Sequence, residues 1–144
     1  MKIACIISIF VLAVFSSVAG ESASIEADIT AVANAVDKDE KPHVIQFLRS
    51  PGTNSTTGSF VARNALNRQY ANTKIQMPLA RCWKRLAVDR SIKRDFRVYG
   101  FNQLLGLAER EKSVIPIAKT AAEDISRGDS GTLKQKADAF LQNK

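Results

Sequence analysis

Residues Leu79–Phe101 read LARCWKRLAVDRSIKRDFRVYGF and follow Pro78. At about 100° per residue, Leu79, Cys82, Trp83 and Leu86 share one helical face, with Arg81 and Arg85 behind them. The apolar stripe breaks at Asp89-Arg90-Ser91 and restarts as Ile92, Phe96 and Tyr99, with Lys93, Arg94 and Arg97 opposite. The pattern predicts two short basic amphipathic helices joined by a kink, one wall packing and the other offering charge. The seven bases and two acids of this stretch give it a net charge of +5. It also holds the only tryptophan of the chain. A short strand over Phe96–Tyr99 is the competing reading, because alternation fits there too.

Outward from this pair, the same periodicity predicts helices almost throughout. Ile25, Ile29, Val32 and Val36 fall on one face, with Glu26 and Asp28 early, where the helix dipole favours acids. That helix is expected to end in Asp37–Lys41, and Pro42 can open the next, which carries Val44, Ile45, Phe47 and Leu48. Ser50–Ser59, SPGTNSTTGS, reads as a flexible loop of turn and hydroxyl residues. Helices follow over Phe60–Ala71, from Phe101 toward Lys112, from Pro116 to Gly128, and after Ser130-Gly131 to the end. The expected fold class is all-α, an irregular bundle of six to seven short helices. Ile25, Ile29, Leu66, Leu86, Phe96, Leu105, Ile125 and Phe140 are its expected core.

The first residues have the form of a secretory signal. Lys2 supplies a positive start, Ile3–Phe15 is apolar or small, and Ser16–Gly20 suits signal peptidase. The expected organisation is a signal peptide over 1–20, an acidic leader with an amphipathic helix over 21–49, the loop over 50–59, and a basic helical domain over 60–144. Glu21–Lys41 carries six acids against two bases, while Pro42–Lys144 carries eighteen bases against eight acids. Such a leader either shields the basic domain or has a separate purpose. Once Cys5 leaves with the signal, Cys82 is the single cysteine, so the fold must rest on packing rather than disulfides. Its place beside Leu79 and Trp83 favours a buried thiol and a monomer; a Cys82-linked dimer is the alternative.

No nucleophile elbow, paired-cysteine motif or metal-ligand spacing is present, and His43 is the only histidine. Gly52 and Gly58 lack the spacing and the following lysine of a phosphate loop. The chain is therefore read as a binding protein without cofactor or metal. Its contacts are expected to be Arg81, Lys84, Arg85, Lys93, Arg94 and Arg97, turned away from the apolar stripes and replaceable without opening the core. A protein partner is expected first, with an anionic membrane surface or nucleic acid as the other classes such charge can grip. Asn54-Ser55-Thr56 is a sequon for N-glycosylation.

Gln46-Phe47-Leu48-Arg49 lies 26 to 29 residues past the expected cleavage site. It resembles the RxLR-type motif of secreted effectors of oomycete plant pathogens, with Gln46 where that motif has arginine and no acidic Glu-Glu-Arg partner following. The layout of signal peptide, short leader and cysteine-poor helical domain is similar as well. The resemblance implies a secreted, non-enzymatic effector that enters host cells, in cytoplasm or nucleus, and misdirects host immune proteins there. The alternative is an extracellular cationic protein of defence or reproductive fluid that binds anionic cell surfaces.

Overall fold

The computed structural model describes residues 24–143, where seven α-helices and no strand are found. The expected signal peptide lies outside the described residues. Helix α1 covers 24–33 within the described part, and is followed by α2 (Lys41–Arg49), α3 (Thr56–Arg68), α4 (Gln76–Val88), α5 (Arg94–Arg110), α6 (Ile115–Gly128) and α7 (Gly131–Gln142). Three single 3-10 turns, Pro51–Thr53, Gln69–Ala71 and Lys112–Val114, tighten the connections.

Local chemistry sets the boundaries. Pro42 and Pro116 sit in the first turns of α2 and α6, where a missing N–H costs nothing. Ser55 caps α3, its Oγ accepting from the Gly58 amide at 3.0 Å. Gly131 opens α7 at φ +64°, a left-handed conformation that side chains with a Cβ rarely adopt. Asp89 closes α4 and then accepts the amide of Ser91 at 3.0 Å, which fixes the bend before α5.

Helix α4 is the centre of the bundle. Leu79, Ala80, Cys82, Trp83, Leu86 and Ala87 are all buried, and α4 packs against both α5 and α6. Its crossing with α5 is the most extensive of the fold and depends on Gly100. A Cβ built there would lie 2.9 Å from Leu86 Cβ and 3.3 Å from the Trp83 carbonyl. Only a glycine lets the two backbones approach so closely. Phe47 stands edge-on to Phe96 and Tyr99, with ring centres 6.3 and 5.9 Å away, and ties α2 to α5.

Three details depart from the sequence reading. The expected loop at Ser50–Ser59 is short, because Pro51 is buried in a 3-10 turn and α3 starts at Thr56. Residues 24–49 are not a detached leader: Ile29, Val32, Ala33, Val44, Phe47 and Leu48 belong to the same hydrophobic core as α4. The helical reading of Phe96–Tyr99 holds, since the segment lies inside α5. Of the expected core, Ile29, Leu66, Leu86 and Ile125 are buried, whereas Ile25, Phe96, Leu105 and Phe140 are only partly covered.

Candidate functional site

The six bases of the expected binding face divide into two kinds. Arg97 is 5% exposed and does not face solvent. Its Nε donates to the Ala87 carbonyl at 2.9 Å, and its two terminal nitrogens donate to the two Asp129 carboxylate oxygens at 2.7 Å each. It satisfies the end of α4 and ties it to the α6–α7 link, so it is a core residue and is removed from the contact surface. Arg81 grips Asp28 of α1 through two bonds of 2.9 Å. Arg85 donates to the carbonyls of Leu48 at 2.6 Å and Arg49 at 2.9 Å, so its charge sits at the C-terminal end of α2, where the helix dipole favours a cation. Arg94 donates to the Ser130 carbonyl beside the start of α7.

Lys84 and Lys93 have no hydrogen-bond or ion-pair partner among the described residues. Lys93 is exposed at the start of α5, and Lys84 is half-buried on α4. The lysines are therefore outward charge, whereas the arginines of the same segment are largely committed to fastening helices. The planar guanidinium suits such fastening, since it presents several donors in a rigid fork, whereas an ammonium is a strongly hydrated point charge on a flexible stem.

Acids of the N-terminal segment pair with arginines of later helices, Asp28 with Arg81 as above. Arg49 donates to both carboxylate oxygens of Glu26, at 3.1 and 2.6 Å, and Arg68 pairs with Glu40. Hydrogen bonding from Arg49 holds the Glu26 carboxyl below its usual value. Asp129 is held down in the same way, first by the Arg97 hydrogen bonds and then by the charges of Arg97, Arg90 and Arg94. Three acids of this segment, Glu26, Asp28 and Glu40, thus face an arginine of a later helix.

The four residues of the Gln46–Arg49 motif form the last part of α2. Phe47 and Leu48 are buried, Gln46 is exposed and donates to the Thr53 carbonyl at 3.0 Å, and Arg49 faces out in its pair with Glu26. Asn54 is half-buried. Its Nδ2, the atom a glycan would occupy, donates to the His43 carbonyl at 3.2 Å. Cys82 is buried, and desolvation pushes its thiol up to about 12.

Two shallow grooves meet at the Pro51-Gly52 turn. One, of about 420 Å³, is lined by Phe60, Arg63, Phe96, Lys93 and Asn54. The other, of about 320 Å³, continues past Lys93 to Arg85 and Arg49. This face brings together one residue of the motif, two of the predicted bases, and two residues that the sequence reading passed over, Phe60 and Arg63. A signal for Phe60 existed: it falls about 120° from Leu66 on the α3 wheel, well off the apolar stripe. Compared with known proteins, the chain matches no protein-family model, no curated protein and no solved structure.

Proposed function

We propose that this chain is a secreted, non-enzymatic binding protein, an effector that enters host cells and modulates a host protein of acidic character. Its contact surface is the groove at Pro51-Gly52 with Lys93 at its edge, and Lys84 is a further base on α4. The observation that carries the reading is the separation of roles within one basic segment. Arginines spend their charge internally, while Lys84 and Lys93 keep theirs toward solvent without a partner among the described residues. Nothing in the packing of the core requires two such lysines, and unpaired surface charge of one sign favours encounter with a partner of the other.

Localisation is the test. Residues 21–144, fluorescently tagged and applied to plant tissue, are expected inside the cells. Retention on the outer surface, released by salt, would replace this reading with that of an extracellular cationic protein.

A further inference from the structure

Phe60 leaves 66% of its surface open to solvent, and among the described residues it is the one large apolar side chain so exposed. It stands on the first turns of α3, at the edge of the groove shared with Arg63, Lys93 and Phe96. No acidic residue lines that groove. Arg63 forms no ion pair with any described residue. Its guanidinium is instead held over aromatic faces, 4.9 Å from the Tyr99 ring centre and 5.7 Å from that of Phe47. Its Nε–H is buried without an acceptor, and Oδ1 of the neighbouring Asn54 is buried without a donor.

A cation stacked on a ring is oriented but not neutralised. Arg63 is thus a fixed positive charge lacking an anion, set beside an apolar surface lacking a cover. The ligand such a place recognises has a carboxylate next to an apolar side chain. We infer that the Phe60–Phe96 groove docks an acidic peptide segment of a partner protein, an aromatic or aliphatic side chain lying against Phe60 and Phe96 and an adjacent carboxylate meeting Arg63 and Lys93. The inference rests on the reading that the protein works by binding, and gives that reading its site. In the adjoining groove Arg49 is paired with Glu26 and Arg85 is bonded to two carbonyls, which leaves two cations here. Two match one or two carboxylates, whereas a nucleic-acid strand or bilayer surface needs a longer charged track. A groove of about 420 Å³ also suits a few side chains rather than a helix laid along it.

The assay is fluorescence anisotropy with purified residues 21–144 and labelled twelve-residue Gly/Ser peptides centred on Phe-Glu-Glu, Phe-Gln-Gln, Ala-Glu-Glu or Phe-Lys-Lys. The Phe-Glu-Glu peptide is expected to bind at least tenfold more tightly than the other three. Phe60→Ala and Lys93→Gln are each expected to weaken it at least threefold with unchanged melting, because both side chains are exposed. Arg63→Gln should weaken it further, but Phe60 and Lys93 are the deciding positions because Arg63 also touches the core rings. Equal binding of Phe-Glu-Glu and Phe-Gln-Gln would overturn the inference. So would a Phe60→Ala/Lys93→Gln double variant that binds like wild type, or binding only to single-stranded RNA or phosphatidylserine vesicles. Failure of peptide binding overturns the groove alone, whereas exclusion from host cells overturns only the effector reading.

Discussion

Arg97 and Asp129 form a two-pronged ion pair, both contacts 2.7 Å long and both side chains only 7% exposed. Arg97 at the same time satisfies the last turn of α4 through the Ala87 carbonyl. Removing one partner of such a pair leaves the other charge buried and unmatched, which is far costlier than losing a surface contact. Arg97→Gln is therefore expected to destabilise the protein by about 3 kcal/mol. Urea denaturation monitored by Trp83 fluorescence measures it, and a midpoint unchanged from wild type would contradict the role assigned to the pair.

The same pair sets the acid limb of the stability curve. Asp129 is held below its ordinary value of 3.8, so the unfolded carboxyl takes up a proton while the folded one still resists. The folded state binds fewer protons in that window, and stability must fall as pH falls. Its contribution is present in full above the unfolded value and disappears as pH drops through the lowered folded one. Wild type should accordingly lose denaturant resistance below about pH 4. Asp129→Asn, weaker at neutral pH, should lose less there, so that the two curves converge in acid.

Two glycines of α5 predict opposite signs. A methyl at Gly100 would meet Leu86 Cβ at 2.9 Å, whereas one at Gly106 has nothing within 4 Å. Alanine is worth up to about 1 kcal/mol over glycine inside a helix. Gly106→Ala should gain roughly that. Gly100→Ala should instead lose about 1–3 kcal/mol, because separating α4 from α5 outweighs the propensity. Thermal melts of both variants are sufficient, and a stabilised Gly100→Ala would mean that the crossing can open cheaply.

The helical periodicity around Trp83 was readable because a buried stripe imposes its period on the sequence, and Leu79, Cys82, Trp83 and Leu86 are buried as that stripe requires. The loop before α3 was overestimated because SPGTNSTTGS has turn chemistry throughout, while Ser55 uses its hydroxyl to start a helix. The site was legible only in part. Which arginine is a contact depends on what lies across the fold, and Asp28 and Asp129 are 53 and 32 residues from Arg81 and Arg97. A helical wheel shows that a base leaves its own stripe; it does not show that a carboxylate on another helix is waiting for it.

Cys82 is expected to behave as a buried hydrophobe. Its thiol rises from 9.0 to about 12 by burial, so the folded state keeps a proton that the unfolded chain gives up. That contribution is complete below about pH 9 and is lost as pH climbs toward the folded value, with Tyr70 moving in the same direction. Labelling by a thiol reagent at pH 8 should track unfolding, the protein should run as a monomer without reductant, and Cys82→Ala should cost on the order of 1 kcal/mol. Rapid labelling or a reducible dimer would show the thiol to be accessible.

The last expectation separates the lysines of the basic segment from its arginines. If charge alone mattered, Lys84, Arg85, Lys93 and Arg94 could be exchanged together for Gln with no effect on melting. Arg85, however, holds two carbonyls at the end of α2, and Arg94 holds the Ser130 carbonyl before α7. Removing them strips charge-assisted bonds from two helix ends, each worth about 1.5–3 kcal/mol when intact and less where water can substitute. Lys84 and Lys93 make no such bond, and substitutions of that kind usually stay within about 0.5 kcal/mol. Lys84→Gln/Lys93→Gln should therefore melt with wild type, and Arg85→Gln/Arg94→Gln should melt several degrees lower. Both pairs remove a charge of two, so equal shifts of the two melting curves would contradict the division of roles read from the bonds, and only a split between them supports it.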